Sequence, residues 1–395
     1  MIIKPRIKGF VCITSHPVGC LENVRDQINH AKENLITHGG KPKRVLVIGA
    51  STGYGLSSRV SATFSAGAET LGVYFERPPK EDKPASAGFY NSLAFNKFSQ
   101  EAGVRSVDIN GDAFSSECKD EVIKKAKEMG QFDLVVYSLA SPRRTDPLDG
   151  ETYRACLKPI GSVYKNKTLD TDKKEVKEVV INPATDAEIE STEKVMGGDD
   201  WKIWTERLLE ENLLAPGCIN VAYSYIGPEV TQPIYRNGTI GRAKEHLENC
   251  AHTLNNLLQE KVAGRSFVSV NKAVVTQASS AIPVVPLYVS ILFKIMREAG
   301  THEGCIEQTA RLFSRFLYAE SGSPTVDAAG RIRLDDWEMK DEIQQEIINL
   351  WPQVNTSNLT DLTAFEEYQT EFLKLFGFAH PRVNYEEEID LITPF

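Results

Sequence analysis

KRVLVIGASTGY, residues 43–54, carries four apolar residues straight into a glycine-rich turn. Val45, Leu46, Val47 and Ile48 show no alternation, as expected of a strand covered on both faces by helices. Gly49, Gly53 and Gly55 come next in G-x3-G-x-G spacing. Without a Cβ this turn can take positive φ and leaves room for a pyrophosphate. Ser51 and Thr52 are placed to cap the next helix, whose free N–H groups and dipole favour an anion at its start. Gly49, Ala50, Ser51, Thr52, Gly53 and Tyr54 are therefore the candidate phosphate turn of a dinucleotide site. Three glycines after a strand also describe an ordinary structural turn, so the neighbouring strands have to decide between the two.

Residues 69–76, ETLGVYFE, read as the next strand and end in Phe75 and Glu76. An acid roughly twenty residues beyond the glycines is where a group binding the adenosine ribose hydroxyls belongs. Glu76 favours NAD(H), and Arg77 beside it keeps a 2′-phosphate, hence NADPH, as the disfavoured alternative. Residues 104–109 form a shorter strand followed by Asp112 and Ala113, an acid placed to accept from the adenine amino group. The apolar run 132–139 ends at Leu139 and leads into Ala140-Ser141-Pro142, small residues suited to lining a ribose. The order of these features predicts an α/β fold, a Rossmann-type doubly wound parallel sheet flanked by helices.

The 395 residues hold 45 Lys and Arg against 54 Asp and Glu, a formal charge of −9, which argues against general nucleic-acid binding. Seven scattered cysteines without a C-x-x-C signal neither a disulfide framework nor a zinc site, so no metal is expected and reduced thiols point to the cytoplasm. Lys4, Arg6 and Lys8 interrupt any signal-peptide core. The most apolar stretch, 281–295, contains two prolines and a lysine and falls short of the ~20 residues that cross a bilayer. It reads as a buried helix or the wall of a lipid-like ligand, without stable membrane association.

The chain organises as one enlarged Rossmann-type domain. An extension, 1–42, holds a strand over 9–14 and a helix over 20–35; its His16 reads as a solvated loop histidine. The dinucleotide-binding half spans 43–142, with helices over 55–67, within 80–98 and over 119–129. An insertion, 143–200, contains a β-hairpin from 161–169 and 174–181. The catalytic half, 201–310, opens with Trp201, Trp204 and Leu208 at helical spacing, a core stripe. It continues with strands at 219–226 and 265–276 and a long amphipathic helix at 239–261. The remainder, 311–395, reads as helices and turns packed through Trp337, Leu350, Trp351, Phe372 and Phe376.

Reductases of this fold commonly pair an acidic tyrosine with a lysine that binds the nicotinamide ribose and lowers the phenol's pKa. None of the thirteen tyrosines begins Tyr-x3-Lys. Tyr90 and Lys97 form Tyr-x6-Lys, but on the wrong side of the fold. Tyr235 and Lys244, Tyr-x8-Lys, come after the strand at 219–226. On one regular helix their nine-residue separation turns roughly 900° and sets them on opposite faces. Asn237-Gly238 breaks the chain between them, leaving Tyr235 on a loop and Lys244 in the first turns of the next helix.

The sequence strongly resembles the FabV-type trans-2-enoyl-thioester reductases, enlarged relatives of the short-chain dehydrogenases. The resemblance runs through MIIKP, HPVGC, GASTGYG at 49–55, YFERP, NGDAF at 110–114, YSLASPRR at 137–144, VMGGDDW at 195–201, Tyr235-x8-Lys244, VVTQASSAIP at 274–283 and GTHEGCIEQ at 300–308. It implies NADH-dependent reduction of the 2,3 double bond of an enoyl thioester on acyl carrier protein or coenzyme A, in fatty acid biosynthesis, by a monomer. It further implies Tyr235 as proton donor, Lys244 as cofactor lysine, Tyr225 at the substrate carbonyl, and Val274, Val275 and Thr276 against the nicotinamide. The helix from about Ile282 would then wall the acyl chain. A non-catalytic NAD-binding sensor would not need the two tyrosines and the lysine, and a ketone reductase on this fold would need the missing Tyr-x3-Lys.

Overall fold

The computed structural model describes residues 1–9, 11–37, 40–320, 322 and 324–395. Its centre is a seven-stranded sheet. In chain order the strands are β1 (Arg44–Ile48), β2 (Glu69–Tyr74), β3 (Ser106–Asn110), β4 (Phe132–Tyr137), β5 (Leu214–Ser224), β6 (Arg265–Val270) and β7 (Ile332–Arg333). They lie side by side as β7-β6-β5-β4-β1-β2-β3, every pair parallel. Val45, Leu46, Val47 and Ile48 are fully buried, which explains their unbroken apolar run. Strand order reverses between β1 and β4, and a crevice at their carboxyl ends is where open sheets of this kind take ligands.

The helices that matter for the site are α1 (Pro17–Glu33), α2 (Gly53–Val60), α3 (Ala87–Glu101), α4 (Ser116–Met129), α5 (Asp199–Glu210), α6 (Thr239–Val262), α7 (Val285–Glu298) and α8 (Cys305–Arg311). Trp201 and Trp204 of α5 are buried as their spacing suggests. The insertion hairpin pairs Tyr164–Asp170 with Glu175–Ile181 antiparallel.

Several expectations need correction. The strand expected over 9–14 is a small antiparallel pair, Ile7–Lys8 with Val11–Cys12, because Gly9 turns at φ +59°; Phe10 lies outside the described residues. His16 is fully buried: its Nδ1 accepts from Gly19 N (3.2 Å), capping α1, and its ring packs edge-on against Tyr385. The strand expected over 265–276 leaves the sheet after Val270, so 271–276 are free to line the crevice. The helix expected from about Ile282 begins at Val285, after Val284 at φ +75°. The C-terminal part, read as helices and turns, also supplies the edge strand β7.

Candidate active site

Gly49 sits at φ +91°, and a Cβ there would lie 2.2 Å from the Ser138 carbonyl oxygen at the end of β4. A Cβ on Gly55 would lie 1.8 Å from Gly49 O. The turn closes only with glycine at these two places, and it delivers the start of α2 to the crevice. Thr52 occupies the N-cap but makes no side-chain cap bond, and Ser51 Oγ donates instead to Glu76 Oε1 (2.7 Å). The expected capping by Ser51 and Thr52 is therefore absent: the Ser51 hydroxyl that would cap is spent on Glu76. The first-turn N–H groups of α2 keep no side-chain acceptor and suit a pyrophosphate.

The crevice opens into a cavity of about 1110 Å³. Its wall includes Gly49, Ser51, Thr52, Gly53 and Tyr54 from the turn, Phe75 and Glu76 after β2, Asp112 and Ala113 after β3, and Leu139 and Ala140 after β4. Tyr225, Tyr235, Lys244, Val274, Val275 and Thr276 line it as well, and Tyr54 Oη of the turn donates to Lys272 O (2.8 Å). Ala50, fully buried, is the one candidate that lies behind the wall. Asp112 uses Oδ1 to accept from Phe114 N (3.0 Å), which shapes its own turn. Phe75 presents an open ring, 75% exposed. Arg77 is not in the wall, and neither are Tyr90 and Lys97.

Tyr225 and Tyr235 meet edge to face, ring centroids 4.8 Å apart at 81°. The chain turns tightly through 229–237 and α6 starts at Thr239, so Tyr235 stands on the preceding loop with Lys244 in the helix. Lys244 Nζ donates to Tyr223 O (3.0 Å), and burial lowers its pKa to about 8. Burial raises the Tyr235 phenol well above its ordinary value. The Lys244 ammonium is engaged by a backbone carbonyl, and desolvation is the influence on the phenol. A phenol is protonated in the neutral range at its ordinary pKa of about 10, and burial acts in the same direction.

Lys272 and Tyr223 also line the cavity and Glu338 lies buried behind it; none of the three is among the site residues expected from the sequence. Lys272, buried, donates from Nζ to Ala273 O (2.7 Å), and burial lowers its pKa to about 8. Tyr223 shares a hydrogen bond of 2.5 Å with Ser58 on α2. Glu338, fully buried, accepts from Tyr225 Oη (3.0 Å), Tyr288 Oη (2.6 Å) and Ala273 N (2.7 Å). Glu338 arrives from 113 residues beyond Tyr225, so no spacing rule finds it. Lys272 offers one visible cue, a lysine directly after an apolar strand.

Ile282, Val285 and Phe293 line the cavity beyond Tyr225, giving it an apolar flank next to the polar end. A glycine turn at the end of a buried strand, an acid after the next strand and a tyrosine and lysine in one cavity are the arrangement of a nicotinamide-dinucleotide oxidoreductase. The catalytic-region model of trans-2-enoyl-CoA reductase matches residues 83–318, and the NAD(P)H-binding-domain model of the same enzyme matches 2–81. The chain belongs to the trans-2-enoyl-CoA reductase family. It is 54% identical over 396 residues to a protein of Opitutus terrae named enoyl-acyl-carrier-protein reductase (NADH), covering 100% of both chains. It is 52% identical over 394 residues to a trans-2-enoyl-CoA reductase (NADH) of Clostridium perfringens, again covering 100% of both. The crystal structure of Treponema denticola trans-2-enoyl-CoA reductase in complex with NAD shares its fold with a TM-score of 0.94, at 49% identity over 98% of each chain.

A third model, described as an enoyl reductase FAD binding domain, matches residues 326–389. That segment does not fit a flavin. Ile343, Ile347, Trp351, Phe365, Tyr368 and Phe372 pack into the core, and its residues in the cavity wall, Glu371, Lys374 and Leu375, offer no strand–glycine turn–helix unit. No step is assigned to FAD.

Proposed function

We propose that this chain reduces the 2,3 double bond of trans-2-enoyl thioesters with NADH in fatty acid biosynthesis, with Tyr235 as the proton donor. The observation that carries the reading is the meeting of Tyr225, Tyr235 and Lys244 in the cavity that also holds the glycine turn and Glu76. NADH, when bound, supplies the hydride that goes to C3. The first-turn N–H groups of α2 would hold its pyrophosphate, Glu76 would accept from the adenosine ribose, and Lys244, whose Nζ now donates to Tyr223 O, would serve the nicotinamide ribose. Val274, Val275 and Thr276, which line the same cavity, would meet the nicotinamide.

Reduction at C3 places negative charge on the thioester oxygen, which needs a hydrogen-bond donor at that moment. Tyr225 takes this role. C2 must then be protonated, and Tyr235, kept in its acid form by burial, gives the proton. The flank of Ile282, Val285 and Phe293 receives the acyl chain and keeps water from the enolate.

The carrier is acyl carrier protein, with coenzyme A thioesters also accepted; relatives bear both names, so a dedicated trans-2-enoyl-CoA reductase is the competing reading. Following NADH oxidation with matched enoyl thioesters on both carriers tests the function. NADH binding without turnover on either carrier would leave a nucleotide sensor, and turnover on a β-keto thioester alone would leave a ketone reductase. We also propose a cytoplasmic monomer built as one enlarged domain, in which the insertion and C-terminal part cover the surface through which short-chain relatives pair. A dimer mass in solution at low micromolar concentration would overturn that. Among the described residues no helix is long and apolar enough to cross a membrane.

A further inference from the structure

The Tyr225 hydroxyl has one hydrogen, and in this structure it points to Glu338 Oε1 (3.0 Å). The proposed role of Tyr225 requires that same hydrogen at the thioester oxygen. Both uses cannot hold at once while Glu338 is a carboxylate, which only accepts. Tyr288 Oη donates to the same oxygen, Oε1, at 2.6 Å, and Ala273 N donates to Oε2 at 2.7 Å. This pattern accommodates a proton on Oε1: that oxygen then accepts from Tyr288 and donates to Tyr225, while Oε2, as the carbonyl, keeps the Ala273 N–H.

We infer that Glu338 is a positioning residue which carries a proton in the working enzyme, donating to the Tyr225 oxygen so that the Tyr225 hydrogen is turned to the substrate. The inference rests on the reading of Tyr225 given above. Glu338 is outside the cavity wall and fully buried, so it reaches the site through Tyr225 at Oε1 and through the Ala273 N–H at Oε2. Tyr288 is itself ordered, since Gln344 Nε2 bonds both Glu338 O (2.7 Å) and Tyr288 Oη (3.4 Å). The ionisable groups that face Glu338 are Tyr225 beyond β5, Lys272 beyond β6, Tyr288 on α7, Tyr54 on α2, and Asp335 on its own segment. Burial, the largest influence, raises the Glu338 carboxyl above its ordinary value, and Lys272 opposes it. The chain of hydrogen bonds moves no proton to carbon; it sets the direction of one.

Turnover falls as pH rises through the Glu338 pKa, because the carboxylate recaptures the Tyr225 hydrogen. Glu338→Gln places an N–H donor where the acid proton was, so its kcat at pH 7 should remain within about tenfold of wild type and the alkaline fall due to Glu338 should vanish. Tyr288→Phe removes a donor that favours the carboxylate, so the fall should move to higher pH. Infrared difference spectra at pH 7 should show a protonated-carboxyl C=O band in wild type that Glu338→Gln lacks, and NADH fluorescence titration confirms that each variant is folded. Absence of that band, or profiles of both variants that overlay the wild type, overturns the inference. Tyr225→Phe separates the two levels of argument. Lost turnover in Tyr225→Phe with unmoved profiles in the other two rejects the role of Glu338 alone, whereas full turnover in Tyr225→Phe rejects the reading on which it rests.

Discussion

Ser51 Oγ donates to Glu76 Oε1 across 2.7 Å, tying the glycine turn to the acid two residues beyond the second strand. Gly88 on α3 packs so near that a Cβ there would lie 2.0 Å from the same oxygen. Ser51 thus orients Oε1, and Gly88 leaves the room for it. A 2′-phosphate on a nucleotide bound here would face this carboxylate. NADH should exceed NADPH in kcat/KM by at least ~10-fold, about 1.4 kcal/mol, and Glu76→Ala should narrow the ratio. Equal use of both cofactors by the wild type would refute this.

Two glycines with different surroundings should respond differently. Gly55→Ala drives a Cβ into Gly49 O and should abolish NADH binding in a fluorescence titration. Gly67 has positive φ (+75°), but a Cβ there would have nothing within 4 Å. Gly67→Ala should leave NADH affinity unchanged and lower stability by about 1–2 kcal/mol, the cost of left-handed backbone with a Cβ. Similar NADH affinities in the two variants would contradict the close approach at Gly55.

The parallel sheet is legible in the sequence because its strands are covered on both faces and therefore read as unbroken apolar runs, Val45 to Ile48 most clearly. The Tyr235–Lys244 break is legible because Asn-Gly marks turns independently of tertiary context. His16 reads wrongly as a solvated residue: its cap on Gly19 is local, but the contact that buries it, Tyr385, lies far along the chain. Glu338 is invisible for the same reason, as are β7 and the true end of β6, which depend on pairing between distant segments. Local pattern records burial and turns; it does not record which distant donors converge on one carboxylate.

Lys119 and Asp200 form a buried ion pair of 2.8 Å, with side chains 1% and 2% exposed. Lys119 also donates to the Ala113 and Phe114 carbonyls, while Tyr137 Oη donates to Asp200 (3.1 Å), so the pair joins α4 and α5 to β4 beneath Ala113. Lys119→Met takes from the buried Asp200 its hydrogen-bonded cation, leaving it Tyr137 and the charge of the buried Arg144, and should cost about 3–5 kcal/mol. Adding Asp200→Leu should recover part of this loss in thermal denaturation. A double variant as destabilised as the sum of the singles would show that the two residues act independently.

The pair Tyr235 and Lys244 gives two separable signatures. Tyr235→Phe removes the donor to C2 and should lower turnover by the ~10²- to 10⁴-fold of general acid catalysis while leaving NADH affinity nearly intact. Lys244→Ala should weaken NADH binding as well, because it takes a charged donor from the ribose. The lowered pKa of Lys244, about 8, fixes a pH window. The ammonium binds and the amine does not, so wild-type NADH affinity should hold below pH 8 and decline above it, and Lys244→Ala should show no such decline. Tyr225→Phe examines the alternative in which the oxyanion donor carries the reaction and Tyr235 only packs beside the substrate. Near-normal turnover in Tyr235→Phe, together with its loss in Tyr225→Phe, would reverse the catalytic assignment while leaving the fold, the cofactor and the reaction in place.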